Sequence, residues 1–368
     1  MKIFLTHYRT ASTGHTELLD DIAYPQRVHW FPELYARVKS GLFYVPHMLA
    51  NKVLDAELIN SLKETQTGKT AFILAAGTTT WGSSRAAKDN KLNYNYKFLP
   101  FTLLQVYAGR TAQACGEMDL VTTDSSACAS SLKVLMDVQN LIQFYDYDRV
   151  IVLSVEDSVS NFTLEFFGES KAVLSAKDEE DGTKPSAFDS NNEGFYVGQG
   201  AVFAVFESER ARDKLKSIPH AQLISAYSAS ESSTNAIGQL ETGEGFSKAI
   251  KGAMALANVL PEDIKIVKTH GTGTASNNKA EKNALKMLPK FVATSYKQKI
   301  GHTMGASGLL ETCLLLDDIR NGFVPKIENR TEDDDVYLSE NTTPPNGYIL
   351  SLAAGMGNIY SAAILEAM

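Results

Sequence analysis

Residues 122–132 read TTDSSACASSL: one cysteine, Cys128, set among hydroxyls and alanines where two unlike patterns meet. Upstream, DLVTTDS (119–125) is a short β-branched apolar run; downstream, Leu132, Leu135, Met136 and Ile142 share one face at helical spacing. A lone cysteine in a chain of this size is more often a small buried hydrophobe than a nucleophile. Its surroundings change that reading. Asp124 to Ala127 supply a tight turn, and Ala129 to Ser131 are small enough for a substrate to approach. A strand, a turn and a helix in this order form a nucleophile elbow, with the side chain at the positive end of the helix. Free backbone N–H groups and the macrodipole stabilise a thiolate there.

Buried-strand runs recur on both sides of this junction. AFILAAG (71–77), RVIVLSVED (149–157) and AVFAVFE (201–207) belong to the first part of the chain. AQLISAYS (221–228), IKIVKTH (264–270), FVATSY (291–296) and YILSLAAG (348–355) belong to the second. Helical patterns lie between several of them, so the chain reads as α/β with a largely parallel sheet covered on both faces. The charged segment ESERARDKLKS (207–217) separates two parts with similar element order. An internal duplication without a residue-level repeat is expected, with halves at 1–210 and 211–368. AKDEEDGTKPSAFDSNNEG (176–194) and ENRTEDDDVYLSENTTPPNG (328–347) read as solvated surface loops.

Composition excludes several classes. With 44% apolar residues among 368, the chain can bury a sizeable core. It carries 35 basic and 43 acidic residues, a net charge of −8, and no cluster of Lys/Arg interleaved with aromatics, so nucleic acid is a poor partner. No apolar run is long enough to span a membrane, and MKIFLTHYRTASTGH lacks a signal-peptide core, which places the protein in the cytoplasm. Cys115, Cys128 and Cys313 are too few and too irregularly spaced for a disulfide framework or a zinc site. GKT at 68–70 lacks the rest of a phosphate-binding loop, and scattered lysines such as Lys52 and Lys69 define no docking patch.

Two histidines stand in contexts like that of Cys128. In KTHGTGTASNNKAE (268–281), His270 closes a strand run and Gly-Thr-Gly-Thr follows it. Such a segment can be a plain β-to-α turn, or it can aim the histidine, Thr272 and Thr274 at a ligand at the carboxyl end of the sheet. In SYKQKIGHTMGASGLLE (295–311), His302 sits between glycines before another small-residue helix, with Lys297 five residues before it and Glu311 nine after. SLAAGMGN (351–358) follows the last long apolar run; it is either a tight turn or the source of a backbone N–H for an oxyanion hole.

These four pieces, in this order, resemble the β-ketoacyl-acyl-carrier-protein synthases, the ketosynthases of the thiolase superfamily. DSSACASSL, FDSNNEGFYVGQGA, THGTGT, KQKIGHTMGASG and the C-terminal glycine turn each match a family motif, over roughly residues 70–368. The resemblance implies a thiolase-like αβαβα five-layered sandwich built from two similar halves, the first holding the elbow and the second both histidines. It implies that Cys128 accepts the acyl chain, that His270 and His302 complete a Cys-His-His triad, and that Lys297 and Glu311 buttress the second histidine. Thr272, Thr274 and Gly355 would contact the substrate arm, and the N–H groups of Cys128 and Ala354 would form the oxyanion hole. The implied reaction is a decarboxylative Claisen condensation of the Cys128-bound chain with malonyl-carrier protein. No metal and no cofactor would be needed, because both substrates ride on the phosphopantetheine of an acyl carrier protein. Such enzymes dimerise through their sheets, so a homodimer, or a heterodimer with a second ketosynthase-like subunit, is expected.

Three positions depart from the family pattern. Ala354 takes the place given to a gating phenylalanine, Asn278 that of an acidic residue, and Gln199 that of a glutamate. Together they point towards a type II polyketide or aryl-polyene synthase instead of housekeeping fatty-acid elongation. Two alternatives remain at this stage: a non-catalytic subunit of the chain-length-factor type, and a cysteine hydrolase or simple acyltransferase. Chain-length factors usually lack the cysteine, and a hydrolase needs one histidine rather than two.

Overall fold

A computed structural model of the chain describes residues 1–20, 23–34, 49–65, 68–77, 103–159, 161–233, 235, 237–332 and 336–368. Ten strands form one mixed sheet. Its first half, from the centre outward, is β1 (Ile3–Ala11), β8 (Gly200–Ser208), β6 (Arg149–Glu156), β4 (Thr70–Ala75) and β5 (Leu120–Asp124). Its second half is β9 (Ala221–Ser230), β13 (Ile359–Ala367), β12 (Tyr348–Gly355), β10 (Ile264–Lys268) and β11 (Val292–Thr294). Numbered by chain order within each half, both run 1-5-4-2-3 outward, the inner pairs antiparallel and the outer pairs parallel. Identical topology in two unlike sequences is the duplication expected from element order. Within the ten-stranded sheet the halves join where β1 pairs β9, at Ile3–Leu223, Phe4–Gln222 and Leu5–Ala221. A separate three-stranded sheet joins β2 (Thr16–Leu19), β3 (Gln26–His29) and β7 (Val197–Gly198).

Alternation along the strands sorts the apolar residues into layers. Ile73, Val152 and Ala204 of the first half and Ile266, Ala353 and Ala363 of the second pack on a central layer. That layer is made of α3 (Ser130–Phe144) and α10 (Ser307–Arg320). The opposite face of the first half, through Phe72, Leu153 and Phe203, is covered by α1 (Ala56–Glu64) and α2 (Leu104–Cys115). That of the second half, through Val267, Leu350 and Leu352, is covered by α7 (Glu244–Ala257) and α8 (Ala275–Leu285). The result is α, β, α, β, α. Shorter helices complete the described chain: α4 (Asn161–Glu169), α5 (Ala176–Glu180), α6 (Glu209–Leu215) and α9 (Lys297–Ile300).

The central helices reveal what element order alone did not, a local repeat in sequence. ACASSL (127–132) opens α3 and MGASGL (304–309) opens α10, each through a short 3₁₀ turn. The first residue of each, Ala127 and Met304, has positive φ, +49° and +40°. Leu309 N–H donates to Ser131 Oγ at 3.0 Å, tying the two helix starts together. They cross so closely that a Cβ at Gly308 would lie 2.7 Å from Leu132 Cβ. Gly308→Ala is therefore expected to destabilise the fold by about 1–3 kcal/mol, read as a lower midpoint in urea unfolding.

Candidate active site

Cys128 occupies the turn between β5 and α3, where the positive φ of Ala127 gives the sharp reversal an elbow needs. Ser130 fixes that reversal: its Oγ donates to the Ala127 carbonyl at 2.6 Å and accepts from Ser126 N–H at 2.9 Å. The thiol is buried, in an apolar group with Trp30, Phe167, Phe195 and Met304, and its Sγ lies 3.9 Å from Met304 Sδ. Burial pushes the thiol up to about 12; Glu156 adds to the rise and Lys297 opposes it. The expected gain for a thiolate at a helix start is thus outweighed, because removing charge from water costs more than one helix end returns. Alkylation of Cys128 by iodoacetamide is accordingly expected to rise about tenfold per pH unit from pH 7 to 10 without levelling. A plateau near pH 8, followed by peptide mapping, would contradict this.

His270 follows the end of β10 by two residues, and its turn is held by one carboxylate. Glu281 of α8 accepts from His270 N–H at 2.6 Å, Gly271 N–H at 2.8 Å and Asn277 Nδ2 at 2.7 Å. His302 is held differently, by the three-stranded sheet. Its N–H donates to the Tyr196 carbonyl at 2.7 Å, and its own carbonyl accepts from Gly198 N–H at 3.0 Å. The two rings meet edge to face, centroids 5.6 Å apart, and Phe195 packs edge-on against His302 at 5.1 Å. Burial drives both imidazoles well below the ordinary histidine value. Lys297 and Lys268 push each further in that direction, as His302 does for His270. Both rings are therefore neutral near pH 7, each with a buried Nδ1 lacking a hydrogen-bond partner.

Lys297 and Glu311 meet as the sequence motif implies, Nζ to Oε1 at 2.7 Å and fully buried. The other Glu311 oxygen accepts from Lys268 at 3.2 Å, a residue sequence reasoning passed over. Glu156 was also missed. It accepts from Gly77 N–H at 2.6 Å and Gly305 N–H at 3.0 Å, fastening the second elbow to the end of β6. In each case the available signal was a second charge in a mainly apolar strand, beside Lys265 in β10 and Arg149 in β6. Thr272 and Thr274 stand together, their hydroxyl oxygens 3.1 Å apart. Gly355 abuts the elbow, where a Cβ would lie 2.5 Å from the Ser126 carbonyl oxygen and 3.2 Å from Ala129 N.

Comparison with known proteins places this geometry. The profile of the Beta-ketoacyl synthase, N-terminal domain, matches residues 48–211, and that of the C-terminal domain matches residues 221–331. The chain belongs to the β-ketoacyl synthase family. It is 26% identical over 294 residues to the tetracenomycin polyketide synthase ketoacyl synthase alpha subunit of Streptomyces glaucescens, covering 77% of this chain and 68% of that one. Its identity to the putative polyketide beta-ketoacyl synthase 1 of Streptomyces cyaneus is 29% over 297 residues, with the same coverage. To 3-oxoacyl-acyl-carrier-protein synthase 2 of Staphylococcus aureus (strain COL) it is 25% identical over 267 residues, 71% of this chain and 63% of the relative. Among solved structures, one of a type II polyketide acyl-carrier protein in complex with its ketosynthase bound to the hexaketide contains a chain with the same fold. The TM-score is 0.82 at 17% identity, over 100% of this chain and 99% of that one. The ishigamide ketosynthase/chain length factor gives 0.79 at 16%, with the same coverage. The fold is thiolase-like. Among the described residues no helix is long and apolar enough to cross a membrane.

The three departures from the family pattern have structural accounts. Ala354 lies within β12, opposite Tyr360, in the outer apolar core that also holds Phe246. The turn itself is 356–358, closed by the pairing of Gly355 with Ile359. Gln199 bridges two partners of opposite demand, donating to Asp157 Oδ1 at 2.5 Å and accepting from Phe31 N–H at 3.0 Å. An ionised glutamate would set carboxylate against carboxylate there. Asn278 likewise accepts from Phe188 N–H at 3.2 Å and donates to the Gly273 carbonyl at 3.3 Å, which a carboxylate cannot do.

Proposed function

We propose that this chain is a catalytic ketosynthase that joins a Cys128-bound acyl chain to malonyl-carrier protein by decarboxylative condensation, within type II polyketide or aryl-polyene synthesis. The observation that carries the proposal is an elbow cysteine and two histidines gathered in one place: the rings meet with centroids 5.6 Å apart, and Phe195, which packs on His302, belongs to the apolar group around Cys128. A scaffold subunit needs none of the three, and a hydrolase needs one histidine.

In the first half-reaction the Cys128 sulfur bonds to the acyl carbonyl carbon, the carrier's C–S bond breaks, and the carrier leaves as a thiol with the proton that Cys128 gave up. The N–H of Cys128 and that of Ala354 would face the tetrahedral oxyanion. In the second, the malonyl carboxylate leaves as carbon dioxide and its electron pair moves into an enolate. N–H donors on His270 and His302 would receive the enolate oxygen, and because charge develops there only in the transition state, fixed donors lower the barrier rather than merely tightening binding. The enolate carbon then bonds to the acyl carbon, the bond to Cys128 breaks, and the sulfur recovers a proton. Thr272 and Thr274 would hold the pantetheine arm. The expected partners are an acyl carrier protein and a second ketosynthase-like subunit or a second copy.

The deciding experiment offers the protein a series of acyl-carrier proteins, alone and with candidate partner subunits, and follows intact mass. An acyl adduct on the peptide holding Cys128 is expected. No adduct with any chain or partner would make the chain-length-factor reading the better one.

A further inference from the structure

Lys268 stands two residues before His270, at the inner-face end of β10 below Ile266, and is fully buried. Its ammonium donates to Glu311 Oε2 of α10 at 3.2 Å and to the Leu352 carbonyl of β12 at 2.8 Å, while Glu311 Oε1 accepts from Lys297 at 2.7 Å. Three pieces of the site therefore converge on one side chain. The His270 turn reaches it through the chain, the His302 buttress through Glu311, and the glycine turn through β12, three residues before Gly355. An inward strand position ordinarily takes an apolar residue, and burying a second cation against a single bridging carboxylate is costly. The charged groups around the two rings are Lys268 itself, Lys297 on α9, Glu311 on α10, Glu281 on α8 and, beyond Gly305, Glu156 on β6. Burial, with the like charge of Lys297, lowers Lys268 to about 8 against the pull of Glu311 and Glu281, so near pH 7 it keeps its proton.

We infer that Lys268 is a positioning residue for decarboxylation: its ammonium locks the His270 strand to Glu311 and β12 and, with Lys297, supplies fixed positive charge behind the two histidines. The inference rests on the condensing function proposed above. Such charge favours an enolate in a water-excluded site. After burial and Lys297, Lys268 also adds to what lowers both imidazoles: a nearby cation lowers their proton affinity, so removing it raises their pKa and moves the acid limb of the reaction upward.

The test compares wild type with Lys268→Met, which keeps the stem, drops the charge and leaves Glu311 paired with Lys297. Three quantities are read: the rate of Cys128 acylation by intact mass, carbon dioxide release from malonyl-carrier protein across pH 5 to 9, and the imidazole titrations of isotopically labelled His270 and His302 by NMR. Carbon dioxide release is expected to fall about 30- to 100-fold at neutral pH, acylation to slow no more than about threefold, and the imidazole titrations to move up. Equal losses in both half-reactions, with unmoved titrations and a lower melting temperature, would reduce Lys268 to a packing residue and overturn the inference. If Lys268→Met does not fold, Lys268→Gln is read in the same way, and failure of both to fold overturns it too. A wild type that neither loads nor decarboxylates would sink the condensing function instead, while the titrations would still decide whether Lys268 sets the protonation of the rings.

Discussion

Cys128→Ala is expected to carry no acyl adduct and to make no β-ketoacyl product, a loss of at least about 10⁴-fold, while still releasing carbon dioxide from malonyl-carrier protein within about tenfold of wild type. The two outcomes separate because the groups are separate. Acyl transfer needs the sulfur at the elbow, whereas decarboxylation needs only donors around the enolate oxygen, and His270 and His302 remain. The fold should tolerate the change. The thiol packs against Met304 in an apolar group, so an alanine there costs about 1 kcal/mol. Loss of both activities together, in a variant with wild-type unfolding behaviour, would mean that the thiol itself takes part in decarboxylation.

Replacing either histidine with alanine should give the opposite pattern. On the proposed mechanism each supplies one preorganised donor, and removing one such donor typically costs about 10²- to 10³-fold. His270→Ala and His302→Ala should therefore each cut carbon dioxide release by that amount while the adduct on Cys128 still forms. The double variant should lose less than the product of the two, because the donors act on one oxygen. Since both rings are neutral near pH 7, wild-type decarboxylation should show no acid limb until the pH falls below the ordinary histidine value of about 6.5. An acid limb centred above that value would contradict the buried, cation-flanked setting of the rings.

Much of this arrangement was legible in the sequence because its signals are local. Short apolar runs give β4, β5, β6, β8, β9, β10, β11 and β12, and the residues after Cys128 and His270 mark strand-to-helix turns without any knowledge of packing, whereas His302 lies between α9 and α10 and bridges to Val197. What stayed hidden depends on distant pairing. The small sheet joins four residues at Gln26–His29 to two at Val197–Gly198, and no periodicity can register strands so short and so far apart. Yet that sheet holds the backbone of His302. The β1–β9 seam is equally non-local, at three residue pairs. Lys268 and Glu156 were passed over for another reason: a charge at the last residue of a mainly apolar strand reads as the point where the strand leaves the core, and here both are fully buried. The run YILSLAAG (348–355) coincides with β12 as far as Gly355, which pairs with Ile359 across the turn.

The central claim is that one chain first stores an acyl group on Cys128 and then spends it in a carbon–carbon bond formed at the expense of a carboxylate. The most direct measurement is a single turnover: purified acyl-loaded protein is mixed with malonyl-carrier protein, and carbon dioxide, β-ketoacyl product and residual adduct are quantified together. The account predicts one carbon dioxide and one β-ketoacyl thioester for each adduct lost from Cys128. Adduct lost as free acid, with no carbon dioxide and no longer chain, would contradict it and leave a cysteine hydrolase on a ketosynthase fold.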